Sequence, residues 1–329
     1  MVRLCHSIIL GMMALGAATA ARGQATLRAF WYNGDEYLAV RDVAAFYRLG
    51  RDLSRADRTA QYKSTAGQLA LEADRRVIQL DGVNHWISTP ILQARGRLWI
   101  ARADWEKTVD PVFRTGRARA NVSLRTIVLD PGHGGNDRGT HGATGHDEKE
   151  FTLDLARRVK KHLEEDAALQ VFLTRTTDKT TPLDNRVSFS EAKHADLFVS
   201  LHFNSGGTAE GIETYCLPPV GAMSTANPAP RGSDWERSRG NQNDEQNAWL
   251  AHCVQKALLR GTAALDRGVR RARFLVLREA NSPAILVEAG FLTNRGEEQK
   301  ILGAEYRELL AKSIAEGILN YRKGNAVVE

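Results

Sequence analysis

The chain has 329 residues, of which 43% are hydrophobic and 26% are charged, and its formal net charge is +6. This is the composition of an ordinary soluble globular protein with room for two domains, which excludes a disordered or a multi-spanning membrane chain. The positive charge is compatible with an anionic polymer such as a cell envelope or a nucleic acid, but it is too diffuse to favour either.

The N-terminus has the pattern of a secretory signal peptide. Arg3 precedes an apolar stretch over residues 8–20 whose last residues, Ala-Thr-Ala, are small, so we expect cleavage after Ala20. The stretch is too short to span a bilayer as a mature helix, and an uncleaved anchor is the alternative. No second hydrophobic span follows. We therefore expect residues 1–20 to be removed and the mature chain to be periplasmic or extracellular, without a membrane span.

Residues 25–115, the first block, contain short alternating runs that are typical of β-strands. Asn33-Gly34 and Asp81-Gly82 are turn signals between such runs, and residues 37–47 predict a short helix. The pattern indicates a small β-rich α+β domain. The weakly apolar, basic residues 116–123 that follow predict a solvated linker.

Two segments of the first block carry a resemblance. They are Glu-Tyr-Leu-Ala-Val-Arg-Asp-Val at 36–43 and Gly-Arg-Leu-Trp-Ile-Ala at 96–101. They resemble the small stalk domain named after the N-terminal part of copper amine oxidases. The resemblance implies a wall-binding or spacing role and no copper; a packing domain without a ligand is the alternative. His85 is the only histidine of the block, and we expect it to be structural.

From residue 126 the pattern changes to strands alternating with helices. Predicted strands are 126–129, 170–174, 197–201, 211–217, 274–277 and 285–288, and predicted helices are 148–165, 183–193, 244–262 and 304–322. This alternation predicts a three-layer α/β domain over residues 124–323, the second domain, with a mostly parallel sheet flanked by helices. Residues 219–243 are rich in Pro, Gly, Ser and Asn and predict an extended surface loop, which we interpret as a flexible flap.

Four residues that can carry chemistry stand at strand ends or at a helix start of this sheet. His133 follows the first strand in the run Leu-Asp-Pro-Gly-His-Gly-Gly, His202 closes the third strand, and Glu148 begins the first helix. Two imidazoles and one carboxylate from different elements form the ligand set of a catalytic Zn²⁺ site with one open position. Glu288 ends the last apolar strand, where a carboxylate beside a metal is placed to deprotonate water.

Each of these residues has a simpler interpretation when it is taken alone. Either histidine fits an ordinary loop position after a strand, Glu148 fits a first-turn glutamate favoured by the helix dipole, and Glu288 fits an ion pair. His141 and His146 lie in the same loop and are alternative ligands, although exposed loop histidines are the preferred interpretation. The combination of four such residues on one sheet favours a catalytic site.

Several segments of the second domain match the motifs of one enzyme family, in the same order along the chain. They are 129–135, Glu148-Lys149 with Leu153 and Ala156, Thr174-Arg175, Leu183 with Arg186, 195–204, 267–269 and 283–294. Over residues 125–322 these segments resemble the zinc-dependent N-acetylmuramoyl-L-alanine amidases, cell-wall enzymes with a type 3 catalytic domain.

The resemblance implies a six-stranded sheet flanked by helices, and one Zn²⁺ ion held by His133, Glu148 and His202. Glu288 is the implied catalytic carboxylate. The implied substrate is peptidoglycan, cleaved at the amide between the lactyl group of N-acetylmuramic acid and L-alanine of the stem peptide. Asn204 or a backbone N–H near the site is a candidate for binding the oxyanion.

Two other functions stay open: a zinc peptidase acting on the stem peptide, and a non-catalytic wall-binding scaffold, against which the intact residue set argues. Nucleic-acid binding is not expected, because the chain is exported and has no aromatic-basic motif. Arg186 is expected to anchor its helix. Export permits a disulfide between Cys216 and Cys253, but the spacing does not require one. The chain is expected to be a monomer, and a protein activator stays open.

Overall fold

The computed structural model describes residues 27–50, 52–53, 58–65, 67–113, 124–225 and 231–324. The predicted signal peptide (1–20) and the predicted linker (116–123) therefore lie outside the described residues. Residues 226–230 of the predicted flap lie outside them as well.

The first block is built from short strands and helical turns. Its strands are β1 (Ala29–Tyr32), β2 (Asp35–Ala39), β3 (Thr59–Ser64), β4 (Gly67–Glu72), β5 (Val77–Leu80), β6 (Val83–Trp86), β7 (Leu92–Ala94) and β8 (Arg97–Ala101). Helix α1 spans Val40–Phe46, and a second helical segment is formed by α2 (Arg102–Asp104), a π-helical turn (Trp105–Val109) and α3 (Asp110–Phe113). This agrees with the β-rich α+β pattern of the sequence.

The second domain alternates strands and helices. Its strands are β9 (Thr126–Pro131), β10 (Gln170–Leu173), β11 (Leu197–Asn204), β12 (Ile212–Cys216), β13 (Asp266–Arg271) and β14 (Ala284–Phe291). Its helices are α4 (Glu148–Leu163), α5 (Leu183–Ala192), α6 (Asp244–Thr262), α7 (Leu275–Arg278), α8 (Arg295–Leu302) and α9 (Ala304–Lys323).

Two sheets organise these strands. A four-stranded sheet has the order β1-β2-β8-β7, and a ten-stranded sheet has the order β10-β9-β11-β14-β12-β13-β6-β5-β4-β3. Strands β10, β9, β11 and β14 are parallel, β12 is antiparallel to β14, and β13 is parallel to β12. The predicted α/β domain with a mostly parallel sheet is thus confirmed for β9 to β14.

The larger sheet has ten strands rather than about six, because it continues into the first block. Strand β6 pairs in parallel with β13, with His85 opposite Val269. The indole N–H of Trp86 also donates to the carbonyl of Arg267 at 3.0 Å. Pairing with β6 satisfies the backbone groups that β13 would otherwise leave exposed at a sheet edge. The division into domains at residues 116–123 stays a prediction.

Helices cover both faces of the second-domain sheet. The apolar positions of α4, namely Phe151, Leu155, Val159 and Leu163, recur at helical spacing and are all buried in the core that this helix shares with α6 and α9. Residues of α5 and α7 form a separate buried cluster with the opposite face of the sheet. The carboxyl ends of β9 and β11 meet between these layers, where open α/β sheets bind ligands.

The predicted strand at 274–277 is wrong. Residues 275–277 lie in the helical turn α7 and Phe274 is its N-cap, while the strand of this region is β13, which precedes it. The carbonyl of Phe274 accepts hydrogen bonds from the backbone N–H groups of Leu277 (3.0 Å) and Arg278 (2.9 Å). A short apolar run does not distinguish a strand from a buried helical turn, so only the tertiary structure decides.

The described part of 219–243 is more ordered than a plain extended loop. It contains 3₁₀ turns at Gly232–Trp235 and Arg239–Asn243. Arg273 holds the segment, because its Nη1 lies 2.7 Å from Oδ1 of Asp234 and its Nη2 donates to the carbonyl of Ala222 at 2.8 Å. A flap role for this segment stays a prediction.

Two further expectations concern the membrane and the cysteines. Across the described ranges, no helix has both the length and the apolar composition needed to cross a bilayer. Cys216 and Cys253 are both buried and are not joined to each other, so the disulfide that export permits is not formed in this structure.

His85 is buried where the first block meets the second domain, and this burial makes stability depend on pH. Its Nε2 lies 3.0 Å from Nδ1 of His252. Burial first, and the charge of Arg271 second, lowers the pKa of His85 from 6.5 to about 3. The unfolded chain therefore binds this proton first, and folding loses stability as the pH falls from about 6.5 towards 3.

Replacing His85 by glutamine tests this dependence. The wild-type free energy of unfolding is expected to fall between pH 7 and pH 5, with about 2 kcal/mol of that fall due to His85. Urea denaturation of His85→Gln at the two pH values is expected to show a fall smaller by that amount. An equal fall in both proteins would show that His85 is not the group responsible.

Candidate metal centre

A strained turn directs His133 towards the edge of the sheet. His133 has φ +59° and Gly134 has φ +127°, so a non-glycine residue occupies the left-handed region. Such a conformation persists only where the surrounding contacts hold it. Nδ1 of His133 lies 2.9 Å from Oδ1 of Asp137, and this hydrogen bond leaves Nε2 facing the site. Asp137 was not predicted from the sequence; its only signal is a carboxylate four residues after the histidine.

Glu148 joins the two histidines. Its Oε2 lies 3.2 Å from Nε2 of His133, and its Oε1 lies 2.9 Å from Nδ1 of His202. The backbone N–H groups of Thr140 and Phe203 donate to the same carboxylate at 2.8 and 3.0 Å. Burial alone would raise the pKa of Glu148, but the hydrogen bonds and charges of the two histidines outweigh it and hold the pKa well below its usual range. The carboxylate is therefore ionised.

The three predicted ligands come together in the structure. Their ligand atoms all lie within 4.8 Å of one another, and the rings of His133 and His202 stand at 84° with centroids 4.9 Å apart. Two imidazoles and one carboxylate match the donors that Zn²⁺ prefers, so the residues present fit the ion. His141 does not join the cluster, because its ring is 64% exposed and its Nδ1 lies 3.0 Å from Oδ1 of Asp147. His146 is also exposed and outside the cluster.

Glu288 stands beside the cluster. Glu288 on β14 pairs in register with His202 on the neighbouring parallel strand β11. Its Oε2 is buried and has no hydrogen-bond partner among the described residues. Burial, and then the charges of Glu148 and Glu213, raises the pKa of Glu288 well above its usual range. A carboxyl group whose pKa is raised by its surroundings suits proton exchange with a substrate.

Glu213 links the fifth predicted site residue, Asn204, to a network that the sequence did not predict. Glu213 is 1% exposed and lies opposite Glu288 on β12. Its carboxylate accepts hydrogen bonds from Asn204 Nδ2 (2.7 Å), Tyr215 Oη (2.7 Å), Arg267 Nε (2.9 Å) and Arg270 Nη1 (2.7 Å). Asn204 is therefore held in place, and its role at an oxyanion stays a prediction. The sequence signal for this network is Glu213 itself, a single carboxylate in an otherwise uncharged strand. A buried carboxylate of this kind requires cationic or hydrogen-bonding partners.

Asp130 and Arg186 form a buried ion pair that holds the turn at His133 in place. Both are buried, and Nη1 of Arg186 donates to Oδ1 of Asp130 at 2.7 Å. Ser200 and Thr174 donate their hydroxyls to the same carboxylate at 2.8 and 2.6 Å. Nη2 of Arg186 donates to the carbonyl of His133 at 2.8 Å. The arginine thus anchors helix α5 to the strained backbone, as expected.

Gly132 leaves room for the ring of His202. A Cβ at this position would lie 2.2 Å from Cε1 and 2.5 Å from Nε2 of that ring. The backbone has little freedom to withdraw, because the carbonyl of Gly132 accepts from Nη2 of Arg175 at 2.8 Å. We therefore expect Gly132→Ala to displace His202 and to weaken Zn²⁺ binding by roughly 10- to 100-fold.

Zinc titration against a competing chelator measures this effect. Gly232→Ala is the matched control, because a Cβ there meets nothing within 4 Å. Unchanged affinity in Gly132→Ala would mean that His202 does not bind the metal from its observed position.

A family model described as N-acetylmuramoyl-L-alanine amidase matches residues 127–320. The chain belongs to this amidase family. The matched region of the amidase runs from β9 to α9 and contains the whole histidine–glutamate cluster. The predicted resemblance to a cell-wall amidase catalytic domain is therefore confirmed.

Known amidases show how far the similarity extends. The N-acetylmuramoyl-L-alanine amidase AmiC of Neisseria meningitidis is 36% identical over 247 residues, which cover 67% of this amidase and 57% of AmiC. The crystal structure of an N-acetylmuramoyl-L-alanine amidase from Clostridium difficile 630 is 36% identical with a TM-score of 0.52, covering 62% of this chain and all of that one. The CwlD amidase of Clostridioides difficile, solved in complex with the GerS lipoprotein, is 25% identical with a TM-score of 0.50, covering 60% and 98%. The chain thus spans just over half the length of AmiC.

Proposed function

We propose that this amidase is a zinc-dependent peptidoglycan hydrolase. It cleaves the amide between the lactyl group of N-acetylmuramic acid and L-alanine of the stem peptide. The observation that carries the proposal is the cluster of His133, buried Glu148 and His202, with the carboxyl of Glu288 beside it, whose Oε2 has no hydrogen-bond partner among the described residues. Membership of the amidase family supports the hydrolase activity, and the donor set supports the metal.

His133, Glu148 and His202 are the residues that would hold the ion. When bound, Zn²⁺ polarises the amide carbonyl and lowers the pKa of water to about 7. Asp137 accepts a hydrogen bond from Nδ1 of His133, which keeps the ring proton on Nδ1. The other ring nitrogen, Nε2, is then unprotonated and can bind the ion. The ionised carboxylate of Glu148 would offset one of the two positive charges of the ion.

Glu288 moves the proton in this proposal. Its carboxylate accepts a proton from the attacking water and then donates it to the nitrogen of the departing L-alanine, because an amine leaves only when it is protonated. Its Oε2 makes no competing hydrogen bond among the described residues, so the carboxylate oxygen is available for this transfer.

The site of action and the partners are also proposals. Residues 1–20 support export to the periplasm or to the cell exterior, where peptidoglycan is present. The complex of CwlD with a lipoprotein supports a protein partner for this chain too. We propose that the enzyme itself acts as a monomer.

Digestion of purified sacculi tests the proposal. The full chain is expected to release soluble peptides, to stop doing so after dialysis against a chelator, and to recover when Zn²⁺ is added back. Release that continues at the same rate in the metal-free protein would contradict zinc dependence. No release with or without Zn²⁺ would contradict the hydrolase function itself.

A further inference from the structure

The ten-stranded sheet places a row of charged and aromatic residues beside Glu288 that the proposed reaction does not use. The neighbouring strands β14, β12, β13 and β6 carry this row from the second domain into the first block. Glu213 lies opposite Glu288, and the guanidinium of Arg270 lies 4.7 Å from the ring centre of Trp86. The first block thus contributes a side chain to the sheet face that also carries Glu288.

A β-bulge directs Arg267 towards this row. Ile212 pairs with Asp266 and Glu213 pairs with Gly268, so the register between β12 and β13 skips Arg267. A bulge of this kind commonly turns a side chain into a nearby site.

Arg267 is held at the bulge from three sides. Its Nε donates to Oε2 of Glu213 at 2.9 Å, and its guanidinium lies 4.7 Å from the ring centre of Phe291, three residues after Glu288. Its carbonyl accepts the indole N–H of Trp86 at 3.0 Å. A side chain of the first block therefore fixes the backbone that aims Arg267 at the site.

The guanidinium of Arg267 keeps free donors. Its side chain is 30% exposed, and its two terminal nitrogens have no hydrogen-bond partner among the described residues. Glu213 is shared with Arg270, so the pair of arginines carries one positive charge more than this carboxylate neutralises. A planar guanidinium with both terminal nitrogens free binds a carboxylate through two parallel hydrogen bonds.

We propose that Arg267 recognises a free carboxylate on the peptide side of the scissile amide, and that Trp86 of the first block positions it. The inference rests on the proposed function, because it names a group of the substrate at the same site. The second residue of a stem peptide carries a free α-carboxylate unless that group is amidated. This carboxylate lies about two residues, or roughly 7 Å, beyond the scissile bond. Strand β13 is separated from β14 by β12, so the two strands lie roughly 10 Å apart. The side chain of Arg267 spans this distance.

Two matched substrates isolate this contact. They are N-acetylmuramoyl-L-alanyl-D-glutamate with its γ-carboxyl capped as a methylamide, and the same capped compound with its α-carboxylate amidated, so that the α-carboxylate is the only group that differs. The wild-type enzyme is expected to cleave the acid with a kcat/KM roughly 10- to 100-fold higher than that of the amide. In Arg267→Gln the two values are expected to agree within about twofold. Arg260→Gln is the control, because that side chain is 68% exposed and pairs only with Glu316 among the described residues.

Two further variants separate positioning from folding. Trp86→Phe keeps an aromatic ring but loses the N–H that holds the carbonyl of Arg267, so we expect it to lower the acid preference through KM, while Trp31→Phe in β1 leaves it unchanged. If Arg267→Gln fails to fold because Glu213 loses a partner, Arg267→Lys replaces it as the test variant. Lysine keeps the positive charge but lacks the planar guanidinium that makes two parallel hydrogen bonds. This variant is expected to lose most of the preference.

Binding of the product peptides decides the inference independently of catalysis. Calorimetry with L-Ala-D-Glu γ-methylamide and with its α-amide is expected to show tighter binding of the acid to the wild type, and this difference is expected to vanish in Arg267→Gln. Equal binding of the two peptides by the wild type, or a preference for the acid that survives in Arg267→Gln, would overturn the inference while leaving the proposed hydrolysis to its own test. Tighter binding of the acid without cleavage would support the subsite and contradict the proposed function.

Discussion

Glu288→Gln is expected to lower kcat on peptidoglycan by roughly 10²- to 10⁴-fold, the range that a general acid–base group contributes. Glutamine has nearly the same shape but neither accepts a proton from water nor donates one to the leaving amine. The folded protein is expected to be as stable as the wild type or more stable, because a buried carboxyl whose Oε2 has no partner among the described residues is removed.

The comparison needs a carboxylate variant away from the site. Glu279→Gln serves, because Glu279 is partly exposed and pairs with Arg278. Its kcat is expected to match that of the wild type, and both variants are expected to bind one Zn²⁺ ion. Activity of Glu288→Gln within threefold of the wild type would assign the proton transfer to another group.

The second large effect is expected at His202. His202→Ala removes one of three ligands, so the protein is expected to retain no stoichiometric Zn²⁺ after gel filtration and to lose hydrolysis at least as completely as Glu288→Gln. The added stability that saturating Zn²⁺ gives the wild type is expected to disappear as well, because a ligand stabilises the fold only when it binds the folded state.

His141→Ala is the matched control for this loss. His141 lies in the same loop as His133 but its ring is exposed and pairs with Asp147. Zinc content and kcat are expected to be unchanged in this variant. Loss of zinc in His141→Ala with retention in His202→Ala would exchange the roles of the two histidines.

The ligand positions could be predicted from the sequence because each one follows from a local pattern. His133 comes just after the apolar strand β9, His202 lies near the carboxyl end of the apolar strand β11, and Glu148 begins helix α4. The carboxyl ends of parallel strands meet at one edge of a sheet, so these side chains had to lie close together. The α/β character of the second domain followed from the same alternation of strands and helices.

The supporting residues could not be predicted, because their contacts depend on register and on distant pairing. Glu213 is sequestered only because β12 lies between β14 and β13, and Arg267 reaches it only through the bulge. The pairing of β6 with β13 joins residues more than 180 positions apart, as in the hydrogen bond from Trp86 to Arg267. Short alternating runs predict strands but do not name their partners.

The most direct measurement is mass spectrometry of the products from purified sacculi. The amidase is expected to release stem peptides with a free L-alanine amino terminus and to leave glycan strands whose muramic acid lactyl groups end in a free carboxyl. Each product pair is expected to gain one water across that amide alone. Fragments cut within the stem peptide, or peptides that still carry muramic acid, would contradict cleavage of the muramoyl–alanine bond.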